Sequence, residues 1–123
     1  MLMDELAARN ALRMEQEKTQ ARIEALRSEF EAIVGGSVDT NADDEHDPEG
    51  STIAFDRAQA GALLGEAEAY LADLDRAGTR LANGSYSTCA GCGGQIGSER
   101  LAARPAARTC IQCASTHRSG WPR

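Results

Sequence analysis

Four cysteines, spaced Cys89-x-x-Cys92 and Cys110-x-x-Cys113 with seventeen residues between the pairs, constrain this 123-residue chain more than any other feature. Each pair can turn back on itself and offer two sulfurs at about 2.3 Å to one ion, and two such pairs complete a tetrahedral zinc site. A closed four-sulfur site leaves no position for water or substrate, so one structural zinc ion is expected rather than a catalytic one. Disulfides are the rival use of four cysteines. They need an oxidising compartment, yet the start Met1-Leu2-Met3-Asp4-Glu5-Leu6 has charges where a signal peptide needs an apolar run. A redox Cys-x-x-Cys normally sits alone beside a βαβ pattern, and no such pattern is visible. No stretch approaches the ~18 apolar residues of a membrane span. The chain therefore reads as cytoplasmic, with no membrane partner.

Two Phe, two Tyr and one Trp are too few large groups for a sizeable globular core, so an elongated molecule is expected. Charge divides unevenly along the chain. Residues 1–83 hold 18 acidic and 8 basic side chains, whereas residues 84–123 hold 1 and 5. Four thiolates on a zinc ion would subtract two further charges from the second segment, which leaves it weakly basic. That is poor equipment for neutralising duplex phosphates, and the acidic segment would repel them, so direct sequence-specific DNA binding is not expected. Arg100, Arg104, Arg108, Arg118 and Arg123 read as solvated surface charges.

Asp4 to Val34 lacks Gly and Pro and is rich in strong helix formers. Ile23, Leu26, Phe30 and Ile33 make a coiled-coil seam. Traced backward, the seam meets Thr19, Gln16 and Leu12, which predicts a looser half there. Gly35-Gly36 is the expected stop. A second helix is predicted over about 51–82, with Ala60, Leu64, Ala67, Leu71, Leu74, Gly78 and Leu81 as its seam. The small residues Ala60, Ala67 and Gly78 predict close approach of the facing helix. Ser51 or Asp47 would cap the start, with Pro48 at the first helical position in the latter case, and Asn83-Gly84 would end it. Two such helices joined by a short loop are antiparallel and ~45 Å long each. The division expected is a coiled-coil arm over 1–83 and a zinc module over 84–123.

The stretch from Asp39 to Gly50 carries six carboxylates in twelve residues, a composition that reads as a solvated acidic tip loop spanning about 35–50. An EF-hand is disfavoured because the alternating ligand positions do not line up. His46 reads as an exposed loop residue and His117 as surface.

The run Gly84-x-Tyr86-x-x-Cys89-x-x-Cys92-Gly93-x-x-Ile96-x-x-x-Arg100-Leu101-x-Ala103-x-Pro105-x-Ala107-x-x-Cys110-x-x-Cys113 resembles the DksA/TraR family of bacterial zinc-finger transcription regulators. The resemblance implies a mainly α fold: a long antiparallel two-helix coiled coil, a small four-cysteine zinc-finger module and a short C-terminal helix. It implies metal ligands Cys89, Cys92, Cys110 and Cys113. It also implies a protein that enters the RNA polymerase secondary channel and modulates initiation without touching promoter DNA; a monomer is expected because the narrow seam with its polar end disfavours the alternative, a homodimeric four-helix bundle. The family tip motif Asp-x-x-Asp-x-Ala corresponds to the stretch from Ile53 to Ala58, which keeps Asp56 and Ala58 but has Ile53 for the first Asp. Asp56, expected in the opening turns of a helix, would be favoured by the helix dipole. Responsive relatives bind the alarmone ppGpp through basic residues; Glu66 and Asp73 stand at two such positions here and Arg104 alone matches, so ppGpp binding is expected to be weak or absent. The alternatives are a transcript-cleavage-type factor whose tip acids Asp43 and Asp44 hold magnesium, or a coiled-coil adaptor between proteins. Intrinsic enzyme activity is not expected, since no nucleophile and base are paired.

Overall fold

The computed structural model describes residues 4–39 and 48–117. Asp43, Asp44 and His46 of the acidic stretch, and Arg118 and Arg123, lie outside the described residues. Four helices follow in order: α1 over Glu5–Asp39, α2 over Pro48–Asn83, α3 over Ser98–Ala103 and α4 over Ile111–His117. Among the described residues the nearest approach to a sheet is one isolated antiparallel bridge between Thr88 and Gln95. The mainly α class with a long helix pair is thus as expected.

α1 begins where the Asp4 carboxylate accepts the Ala7 N–H at 3.1 Å, an N-cap that satisfies one of the orphan donors of the first turn. It runs past the expected glycine stop to Asp39. Gly35 has no left-handed backbone and nothing within 4 Å of where a Cβ would lie, so it sits in the helix as an ordinary, weakly favourable residue. α2 starts at Pro48, whose fixed φ suits a first helical position. Its end is a Schellman motif. Gly84 takes φ +85°, the Ser85 N–H reaches the Arg80 carbonyl at 2.8 Å, and the Gly84 N–H reaches Leu81 at 3.3 Å.

The chain forms two compact units, one of Met1–Glu17 with Ala72–Arg123 and one of Lys18–Leu71. In the second, Thr19, Ile23, Ala60 and Ala67 are buried, while Leu26, Phe30, Ile33, Leu64 and Leu71 are half-buried. Phe30 lies over Gly61, where an added Cβ would stand 3.3 Å from its ring. The Arg27 guanidinium bonds the Glu68 carboxylate at 3.0 Å across the pair. Because Arg27 meets Glu68 while the later Phe30 meets the earlier Gly61, the helices here are antiparallel. The ion pair is half-exposed and adds little stability. A shallow groove lined by Gln20, Ile23, Glu24, Arg27, Glu68 and Leu71 runs beside it.

In the first unit Ala8, Leu12, Leu74 and Ala77 are buried together with Tyr86, Cys89, Ile96 and Leu101. In the half of the α1 seam expected to be looser, Leu12 is only 3% exposed, while Gln16 is half-buried. Small neighbours explain this, since Ala8 and Ala77 are fully buried and bring little bulk to hold backbones apart. Gly78, expected to allow close approach, instead has open space where a Cβ would lie, and Ala77 fills the buried position. Gln16 and Asp75 bond at 3.0 Å at the exposed margin of this unit.

The two glycines make opposite predictions. Gly84→Ala must hold φ near +85° and is expected to lose about 1 kcal/mol of unfolding free energy, whereas Gly35→Ala is expected to gain about 0.5–1 kcal/mol. Urea unfolding monitored by helical circular dichroism checks both, and a loss at Gly35 would contradict the continuous α1.

Candidate metal centre

The first cysteine pair sits on a tight hairpin. Ile96 N–H bonds Ser87 carbonyl at 2.7 Å and Cys89 N–H bonds Gly94 carbonyl at 2.7 Å, while Gly93 N–H returns to Cys89 carbonyl at 3.0 Å. That return needs a left-handed residue, and Gly93 supplies φ +76°. Gly94 is also held close: a Cβ there would stand 3.3 Å from the Cys92 sulfur. The second pair arrives with α4, where Cys110 precedes the helix and Cys113 lies in its first turn.

The four sulfurs lie within 4.8 Å of one another. A tetrahedron of sulfurs at about 2.3 Å from zinc has edges of ~3.8 Å, so these residues fit one zinc ion and require only a small contraction. Backbone donors already face the sulfurs as thiolates require: Gly91 and Cys110 N–H groups bond Cys89 Sγ at 3.3 Å each, and Gly94 N–H bonds Cys92 Sγ at 3.4 Å. Burial pushes the Cys89 thiol up, but the N–H donors of Cys110, Cys92 and Gly91 outweigh it and draw it down to about 6. Cys113 is pushed up to about 12, chiefly by its contact with the Cys89 sulfur and then with Cys110. Without metal, crowded sulfurs hold a proton among them; with zinc bound, the ion's charge displaces it.

The stretch between the pairs is pinned by donors from three directions. Tyr86 hydroxyl donates to Pro105 carbonyl at 2.8 Å, Arg80 Nη2 to Ala107 at 3.2 Å, Ala90 N–H to Arg108 at 2.8 Å, and Arg100 Nε to Thr109 at 2.7 Å. Arg100 was expected to be solvated. It is instead half-buried and fixes the residue that precedes Cys110, and Arg108 is half-buried as well. Burial, followed by the Arg108 charge, lowers the Arg80 pKa, and its Nε is buried without a partner. Burial raises Tyr86. None of these side-chain bonds has a local sequence signal, since they join residues 9, 19 and 27 positions apart.

The remaining expected site residues lie apart from the sulfurs. Asp56 and Ala58 are exposed on α2 in the unit Lys18–Leu71, and Ile53 beside them is half-buried. Asp56 is the ninth residue of α2, which begins at Pro48. It lies beyond the first turn, so the helix-dipole argument for its charge does not hold. Arg104 is exposed and closes α3, its N–H bonding Arg100 carbonyl at 2.7 Å. Glu66 is exposed, and Asp73 pairs with Arg76. Sequence reading passed over Phe55, which is 66% exposed next to Asp56.

Residues 84–118 match the prokaryotic dksA/traR C4-type zinc finger. Along 94% of its length, and 85% of the other chain, the protein is similar to the structure of transcription factor DksA2 from Pseudomonas aeruginosa, with 28% identity and a TM-score of 0.72. The chain thus carries a DksA/TraR-type zinc finger on a fold similar to that of DksA2. No curated protein matches it. For a DksA/TraR-type C4 zinc finger with its four cysteines clustered, the cofactor is one structural zinc ion.

Purified protein is expected to carry one zinc per chain by elemental analysis, and Cys89→Ser to lose it together with protease resistance of residues 84–117. Arg100→Ala, which leaves the Thr109 carbonyl unpaired, is expected to weaken zinc binding on the order of tenfold in chelator competition, with Arg104→Ala unchanged.

Proposed function

We propose that this chain is a non-enzymatic transcription regulator that binds RNA polymerase through the secondary channel and modulates initiation without direct DNA binding. One observation carries the reading: a DksA/TraR zinc finger at 84–118 occurs in a chain whose helix pair and module together resemble a transcription factor over 94% of their length. The charge distribution supports it, because the helical segment is too acidic to lie along nucleic acid. In this reading the protein is a cytoplasmic monomer. The zinc module docks on the polymerase while Asp56 and Ala58 meet mobile elements near its catalytic centre.

Asp56 is exposed and free to accept hydrogen bonds, and Ala58 presents only a methyl group, which lets another backbone approach closely. Preference for one state of a mobile element by a few kcal/mol would change initiation many-fold. ppGpp binding through this chain is weak or absent in this reading, since exposed Glu66 and the ion-paired Asp73 have the wrong sign and Arg104 alone is left.

Asp56→Asn is expected to co-purify with RNA polymerase as the unsubstituted chain does but to lose most of its effect on initiation in a purified transcription assay. Unchanged regulation by the variant would contradict the role of Asp56.

A further inference from the structure

We propose that the two cysteine pairs are unequal: the hairpin bearing Cys89 and Cys92 is the preformed half that takes up the metal, and the half bearing Cys110 and Cys113 closes afterwards and opens first. The donors to sulfur divide unevenly between them. Cys89 Sγ accepts the Gly91 and Cys110 N–H groups at 3.3 Å each, and Cys92 Sγ accepts the Gly94 N–H at 3.4 Å. Among the described residues no backbone N–H bonds the Cys110 or Cys113 sulfur. A donor aimed at sulfur favours the thiolate, which is the form that binds metal. Two of the three donors belong to the hairpin itself and lie two residues from the sulfur they serve, so they need nothing from the second pair. The third, the Cys110 N–H, reaches Cys89 from 21 positions away and forms only when the halves meet.

The backbone repeats this asymmetry. Bonds from Cys89 N–H to Gly94, Gly93 N–H to Cys89 and Ile96 N–H to Ser87, with the bridge between Thr88 and Gln95, all close within the hairpin. Its flanking side chains Tyr86 and Ile96 are buried, which holds it from the core side as well. The approach to Cys110 depends instead on partners outside it: Arg100 Nε on the Thr109 carbonyl at 2.7 Å and the Ala90 N–H on the Arg108 carbonyl at 2.8 Å. Ala90 lies in the hairpin, so the second pair is placed by reference to the first. Bringing Cys110 in also closes a loop of seventeen residues, which costs more conformational entropy than the two residues between Cys89 and Cys92. Exposure does not set the order, since Cys92 is exposed while Cys110 and Cys113 are half-buried. Each thiol gives its proton to solvent as it binds, with no change of oxidation state.

The proposal is tested with the full chain, stripped of metal by a chelator under reducing conditions and titrated with cobalt(II), whose thiolate charge-transfer band reports the sulfurs bound. The double variants Cys110→Ser/Cys113→Ser and Cys89→Ser/Cys92→Ser keep two thiols each, so they differ in which pair remains. The variant that keeps the hairpin is expected to bind cobalt about tenfold or more tightly than the other. Gly93→Ala retains all four thiols but must hold φ near +76°, and is expected to weaken cobalt binding severalfold. In the zinc-loaded unsubstituted chain, iodoacetamide is expected to label Cys110 and Cys113 before Cys89 and Cys92, as read by peptide mass spectrometry. Equal cobalt affinity of the two double variants, binding by neither, or tighter binding by the one that keeps Cys110 and Cys113 would overturn the proposal. Labelling that starts at Cys89 or Cys92 would do so as well.

Discussion

Four thiolates converging on one ion set the conditions for everything else in the chain. Between Gly84 and His117 the buried apolar side chains are Tyr86, Ile96, Leu101 and Pro105, with Cys89, and a segment of this size cannot form a stable core from so few. Zinc binding in finger peptides is worth about 10–16 kcal/mol, comparable to the whole stability of a small domain. The ion also brings together two cysteine pairs separated by seventeen residues. Those residues are then held by hydrogen bonds from Tyr86, Arg80, Ala90 and Arg100 to the carbonyls of Pro105, Ala107, Arg108 and Thr109, which would otherwise remain unpaired in a largely half-buried segment.

The same compact unit includes the ends of both long helices. Ala8 and Leu12 of α1 and Leu74 and Ala77 of α2 are buried alongside the apolar residues of the module. Arg80 belongs to α2 yet bonds the carbonyl of Ala107, so the last turn of that helix is tied to the stretch leading into Cys110. Metal occupancy and the order of these helix ends are thus linked. Asp56, Ala58 and Phe55 belong to the other unit, where all three are exposed.

Features set by local chemistry were legible in the sequence. The cysteine spacing specifies the metal set, the three-four periodicity of Ile23, Leu26, Phe30 and Ile33 specifies a helix seam, and Asn83-Gly84 specifies a helix end because only Gly readily takes φ +85°. Gly35-Gly36 misled for an instructive reason: a glycine permits a left-handed cap but does not impose one, and its penalty of about 1 kcal/mol inside a helix is easily exceeded. Arg100 was misread because charge predicts exposure only on average. Its bond to Thr109 depends on the chain reversal between α3 and α4, which no short-range pattern encodes. Burial of Leu12 likewise accompanies that of Ala8 and Ala77, alanines indistinguishable in sequence from those facing solvent.

The central claim is that zinc organises a core shared by the module and both helix ends, and hydrogen exchange before and after chelation tests it most directly. On zinc removal, amides of residues 84–117 are expected to lose protection together with those of 5–17 and 72–83, while amides within 18–39 and 52–71 keep theirs. Loss confined to 84–117, with the helix ends as protected as before, would contradict it.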